Sequence, residues 1–168
     1  MAERRPLVIG ADGCPEELPI GDTLPASLGF FDFARSENGL INQTTTLEDF
    51  LTLTTNLPED GTYEIGWHYE WSFNDAGQDF IAEVDIDGTV ISNHRQEPKD
   101  VGGTGVVLPV IGGGTANTGT NQRHIESGVD IQAGLTAGST TIRIRFAGSQ
   151  ANDEAAIYRA RIYIRRVA

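Results

Sequence analysis

Between Gly61 and Asn74 every second residue is large and apolar: Tyr63, Ile65, Trp67, Tyr69, Trp71 and Phe73. The residues between them are Glu64, Gly66, His68, Glu70 and Ser72. A helix would scatter both sets around its circumference, whereas a strand puts each set on its own face. Residues 62–73 are therefore expected to form a half-buried strand with six side chains turned to a core.

The same period recurs along the chain. Residues 28–34 and 46–54 are rich in aromatic and β-branched types. In 78–87, Phe80, Ala82, Val84 and Ile86 alternate with Asp79, Glu83, Asp85 and Asp87, and Asp87-Gly88 signals a hairpin into Thr89-Val90-Ile91. Three later strands are expected over 123–133 (Ile125, Val129, Ile131), 139–146 (Ile142, Ile144, Phe146) and 155–167 (Tyr158, Ala160, Ile162, Ile164). No stretch holds a helical period beyond two turns, and no internal repeat is visible. The reading is all-β: an antiparallel two-sheet jelly-roll sandwich over residues 28–168, preceded by an extended N-terminal arm over 1–27.

Four of the seven prolines, at positions 6, 15, 19 and 25, punctuate the arm and exclude a helix through it. Its apolar residues Leu7, Val8, Ile9, Leu18, Ile20 and Leu24 are the expected docking contacts, against a neighbouring subunit or the chain's own domain. Residues 102–121 carry seven glycines around the apolar run 106–111. Within it Val106, Val107 and Leu108 suit a short strand or an interface plug.

The formal net charge of -12 disfavours nucleic-acid phosphates and anionic membranes as partners. The charge is uneven, -15 over residues 1–100 and +3 over 101–168. Arg159, Arg161 and Arg165 alternate along one expected strand, with Arg143 and Arg145 expected on its neighbour. One basic sheet face would follow, able to pair with the early acids within or between subunits. A solvated outer face is the plainer alternative.

Catalytic signals are missing. His68, His94 and His124 lack metal-ligand spacing and read as surface or edge histidines. Cys14 is the single cysteine, so no disulfide forms within the chain, and a free thiol suits assembly in a reducing cytoplasm. There is no Gly-x-Ser-x-Gly elbow. The glycine-rich stretch lacks the Gly-Lys-Ser/Thr ending of a phosphate loop. Asp85-Ile-Asp87-Gly88 starts like a calcium loop without its later ligands. The expectation is a non-enzymatic protein with no cofactor and no metal. No apolar run is long enough for a signal peptide or a bilayer span.

Arg5-Pro-Leu-Val-Ile-Gly-Ala-Asp-Gly, followed by Glu17-Leu-Pro-Ile-Gly-Asp-Thr-Leu24, resembles an N-terminal pattern of tailed-phage virion proteins, in which it precedes a small β domain. In its strand pattern, closing strand and glycine-rich loops the remainder is similar to the tumour-necrosis-factor-like or C1q-like jelly rolls. The resemblance implies a homotrimeric capsid decoration (cement) protein bound to the major capsid protein on the virion surface. The alternative it implies is a tail-fibre or spike module that binds tail proteins and a host surface glycan. A fibre normally adds a repetitive shaft, for which 168 residues leave little room, so decoration is the leading expectation. The resemblance implies no catalytic residues.

Overall fold

The computed structural model describes residues 7–9, 15–17, 29–74, 78–96 and 123–167. The strands are β1 (Leu7–Ile9), β2 (Pro15–Glu17), β3 (Phe31–Arg35), β4 (Gly39–Asn42), β5 (Glu48–Leu57) and β6 (Gly61–Phe73). They continue as β7 (Phe80–Ile86), β8 (Thr89–Gln96), β9 (His124–Leu135), β10 (Gly138–Gly148) and β11 (Ala155–Arg166). No helix occurs among the described residues.

The core is an antiparallel sandwich. One sheet runs β5-β10-β7-β8, and the other runs β3-β11-β6-β9 with β4 also paired to β11. The all-β jelly-roll-like architecture read from the sequence is therefore observed. β1 and β2 pair antiparallel as a separate two-stranded unit.

β6 carries the core as its alternation requires: Tyr63, Ile65, Trp67, Tyr69, Trp71 and Phe73 are all buried. The facing sheet supplies Phe80, Ala82, Val84 and Ile86 from β7, and Ile142, Ile144 and Phe146 from β10. Trp71 stacks on Phe80 with ring centroids 4.7 Å apart. Asp87 (φ 49°) and Gly88 (φ 84°) both take positive φ in the β7–β8 turn, as a two-residue hairpin of the primed type demands. Asn42 ties the sheets together at a corner. Its Nδ2 donates to the carbonyls of Phe146 (3.0 Å) and Thr46 (2.9 Å), and its Oδ1 accepts from the Thr44 amide (2.8 Å).

Three local expectations need correction. Arg143 and Arg145 do not neighbour β11: they stand on β10, in the other sheet, so the five arginines do not form one basic face. Alternation fixes which face a residue takes, but not which strand lies beside it. Tyr158 points outward rather than inward, because a bulge between Tyr158 and Arg161 resets the phase of β11. Finally, β9 reverses the usual sense of its pattern. Ile125, Val129 and Ile131 are 67, 57 and 53% exposed, while His124 and Gly128 lie under the rings of Trp71 and Trp67.

Candidate functional site

The outer face of the five-stranded sheet is organised in rows across its strands. In the order β3, β11, β6, β9 the first row is Phe31, Arg165, Glu64 and Ile131. The second is Phe33, Tyr163, Gly66 and Val129, and the third is Arg35, Arg161, His68 and Ser127. Beyond the bulge, with β4 replacing β3, comes Gly39, Tyr158, Glu70 and Ile125.

The first two rows make an apolar band. Phe31 and Phe33 are each 57% exposed, and Phe31 stacks on Tyr163 at 6.0 Å between centroids. Tyr163 lies flat across β6 because residue 66 is glycine: a Cβ there would sit 2.1 Å from the phenol ring. Its hydroxyl donates to Glu64 Oε1 (2.8 Å), and Arg165 Nη2 donates to Glu64 Oε2 (2.7 Å). These hydrogen bonds, from Arg165 first and then Tyr163, hold the Glu64 carboxyl below its ordinary pKa. The phenol of Tyr163 is raised, by desolvation first and by Glu64 second.

The lower rows are charged. Here the edge of the sheet is broken: β3 ends, residues 36–38 bridge to β4, and the β11 bulge faces the gap. Ser36 N donates to Ala160 O (2.9 Å) and Arg159 N to Asn38 O (3.3 Å), closing the bulge against the bridge. Arg159 takes φ 40°, a left-handed conformation that costs a non-glycine residue about 1–2 kcal/mol. The break opens a basin of about 370 Å³ lined by Glu37, His68, Glu70, Arg159 and Arg161. Glu70 accepts from Arg159 Nη1 (3.3 Å) and Arg123 Nη1 (3.2 Å), and the Arg123 guanidinium lies 4.1 Å over the Tyr158 ring.

A second cluster closes the seam between β8 and β9. His124 stacks on Trp71 at 4.4 Å, and His94 Nδ1 lies 3.1 Å from the Tyr69 hydroxyl. His94 Nε2 stands 3.9 Å from Glu126 Oε2 and 3.2 Å from Gln96 Oε1. Burial, then the neighbouring His94, holds the His124 imidazole below its ordinary pKa. Burial, then Glu126, raises the Tyr69 phenol. The histidine spacing in sequence gives no hint of this pairing, which depends on two edge strands of different sheets meeting.

On the opposite sheet Arg143 and Arg145 cover a fully buried carboxylate. Asp85 Oδ1 accepts from Arg143 Nη2 (2.9 Å), Arg143 Nε (3.2 Å) and the Gly88 amide (3.0 Å). Asp85 Oδ2 has no hydrogen bond, with Arg145 Nη1 3.8 Å away. Asp49 meets Arg145 Nε at 3.4 Å and Arg143 Nη1 at 3.8 Å. The Arg143 pKa is pushed up, chiefly by its hydrogen bond to Asp85. Early acids and late arginines thus pair within the subunit at Asp85–Arg143, Glu64–Arg165 and Glu70–Arg159.

Of the other expected contacts, Leu7, Val8 and Ile9 form β1, while Leu18, Ile20, Leu24, Val106, Val107 and Leu108 lie outside the described residues. Among the described residues no three histidine, cysteine or acidic side chains converge as a metal site. Also among them, no helix is long and apolar enough to cross a membrane.

No family model matches the sequence, and no curated protein matches it. Solved structures similar to it include an insecticidal delta-endotoxin from Bacillus thuringiensis (15% identity, TM-score 0.43, covering 78% of this chain and 20% of that one). Dimeric latent PorU from Porphyromonas gingivalis is similar at 9% identity and TM-score 0.50, over 82% of this chain and 13% of that chain. A structure of infectious bursal disease virus, Gx strain, is similar at 12% identity and TM-score 0.35, over 96% and 41%. The chain spans less than half of each of these proteins, and the likeness to PorU is a likeness of fold alone.

Proposed function

We propose that this chain is a virion structural protein: a capsid decoration (cement) protein of a tailed phage that works as a homotrimer. The observation that carries the reading is the apolar band on the outer face of the five-stranded sheet. Phe31, Phe33, Val129 and Ile131 stand more than half exposed in two adjacent rows. Exposed aromatic side chains on β3 and β-branched ones on β9, linked across the face by Tyr163 lying over Gly66, mark a protein interface. Full burial of each such side chain is worth about 1.5–3 kcal/mol, so a band of this size can hold an oligomer together.

The occupant is a second copy of the chain. Glu64 and Arg165 lie in the same row as Phe31 and Ile131, so the band presents both signs. Those two charges are paired within the subunit, so a closed ring of copies covers them as a neutral pair among the apolar side chains. The resemblance of residues 5–24 to phage virion proteins supports the setting, with the arm as the element that grips the major capsid protein.

Light-scattering mass of the full chain tests the assembly. A trimer is expected, and Phe33→Glu is expected to reduce it to monomer. A wild-type monomer at every concentration overturns the oligomer. Mixing with undecorated heads tests the setting: saturable, many-copy binding is expected, and heads that take up no protein overturn decoration.

A further inference from the structure

The third row of the outer face contains an arrangement that folding alone does not favour. Arg35 and Arg161 are direct cross-strand partners, both exposed, and His68 stands next to Arg161 in the same row. Like charges directly opposed on a sheet are destabilising. The chain has twice as many acids as bases, 24 against 12. The other described arginines each have a carboxylate within 4 Å, yet among the described residues Arg35 and Arg161 have none. Beside them Arg159, which lines the basin, takes a strained φ of 40°. Strain and unpaired charge gathered in and beside one concavity point to a ligand.

We propose that this basin binds an acidic sugar, with the carboxylate of a uronic or sialic acid residue held by Arg161, which lines the basin, and by its cross-strand partner Arg35 beside it. The guanidinium fork suits a carboxylate bidentately. Glu37, Glu70 and His68 line the same basin and supply acceptors for hydroxyl groups. These carboxylates would repel a polyanion, but they suit a ligand that carries one charge and several donors. A volume of about 370 Å³ lies toward the lower end of the roughly 300–1,000 Å³ typical of small-ligand sites. The site does not rest on the assembly reading.

Ligand-observed NMR and titration calorimetry on the full chain test it, with glucuronate, its neutral isostere glucuronamide, and inorganic phosphate as probes. Glucuronate is expected to bind, with glucuronamide and phosphate both weaker. Arg161→Gln is expected to weaken glucuronate about tenfold, the value of one charged hydrogen bond. The same substitution is expected to raise the melting temperature of the ligand-free protein, because it relieves the Arg35–Arg161 opposition. A purely structural arginine would move the melting temperature the other way. Equal binding of glucuronate and glucuronamide, phosphate binding as tightly as the sugar, absence of glucuronate binding, or unchanged affinity in the R35Q/R161Q double variant each overturns the proposal.

Discussion

Asp85→Ala removes a fully buried carboxylate from beneath two arginines on the four-stranded sheet. The variant loses three hydrogen bonds at Oδ1, from Arg143 Nε, Arg143 Nη2 and the Gly88 amide. Deleting one partner of a buried ion pair costs about 3–5 kcal/mol, since the other charge is left uncompensated. The Arg143 side chain is 30% exposed and can turn partly to water, which places the cost near the low end, about 3 kcal/mol. The loss of the Gly88 contact also loosens the β7–β8 turn. At this chain length each kcal/mol shifts the midpoint by about 2–4 °C, so a fall of roughly 6–12 °C is expected. Urea unfolding followed by Trp67 and Trp71 fluorescence, with calorimetry alongside, measures it. The double variant Asp85→Ala/Arg143→Met removes both charges and should recover at least half of the loss. A single-variant cost below about 1 kcal/mol, the range of exposed pairs, would refute the reasoning. So would strict additivity of Asp85→Ala and Arg143→Met.

Three further outcomes follow from the geometry. His124 has a folded pKa below its ordinary value of about 6.5, so the unfolded chain binds that proton first as pH falls. Stability should therefore decline as pH drops through about 6.5 and level off below the folded pKa, and His124→Phe should flatten that slope in pH-dependent melting curves. Gly66→Ala should cost about 1–3 kcal/mol by forcing Tyr163 off the sheet, and Tyr163→Ala in the same chain should remove most of that cost in denaturant titrations. Arg159→Gly should raise the melting temperature, because relief of a left-handed non-glycine conformation is worth about 1–2 kcal/mol while the partly exposed Glu70 pair it forfeits is worth less.

Much of the fold was legible in residue order alone. The period-two run from Tyr63 to Phe73 determined a core strand, because only an extended chain can put those six side chains on one side. Asp87-Gly88 determined a hairpin, because both positions need positive φ and these residues tolerate it. The pairing of strands was not legible. Arg143 and Arg145 carry the same alternation as Arg161 and Arg165, yet stand on the opposite sheet, since period marks a face and says nothing about the neighbour. Nor was the bulge at Arg159, an insertion whose phase shift is set by the β3–β4 break facing it across the ladder. β9 reads as an ordinary amphipathic strand; only the bulk of Trp67 and Trp71 pressing on Gly128 and His124 decides that its isoleucines and valine face out. The sequence by itself determined most strands of the sandwich, though not β4, and, away from the β11 bulge, which residues could share a face. Tertiary packing decided which faces became surface, because that depends on the volume of side chains brought from distant strands.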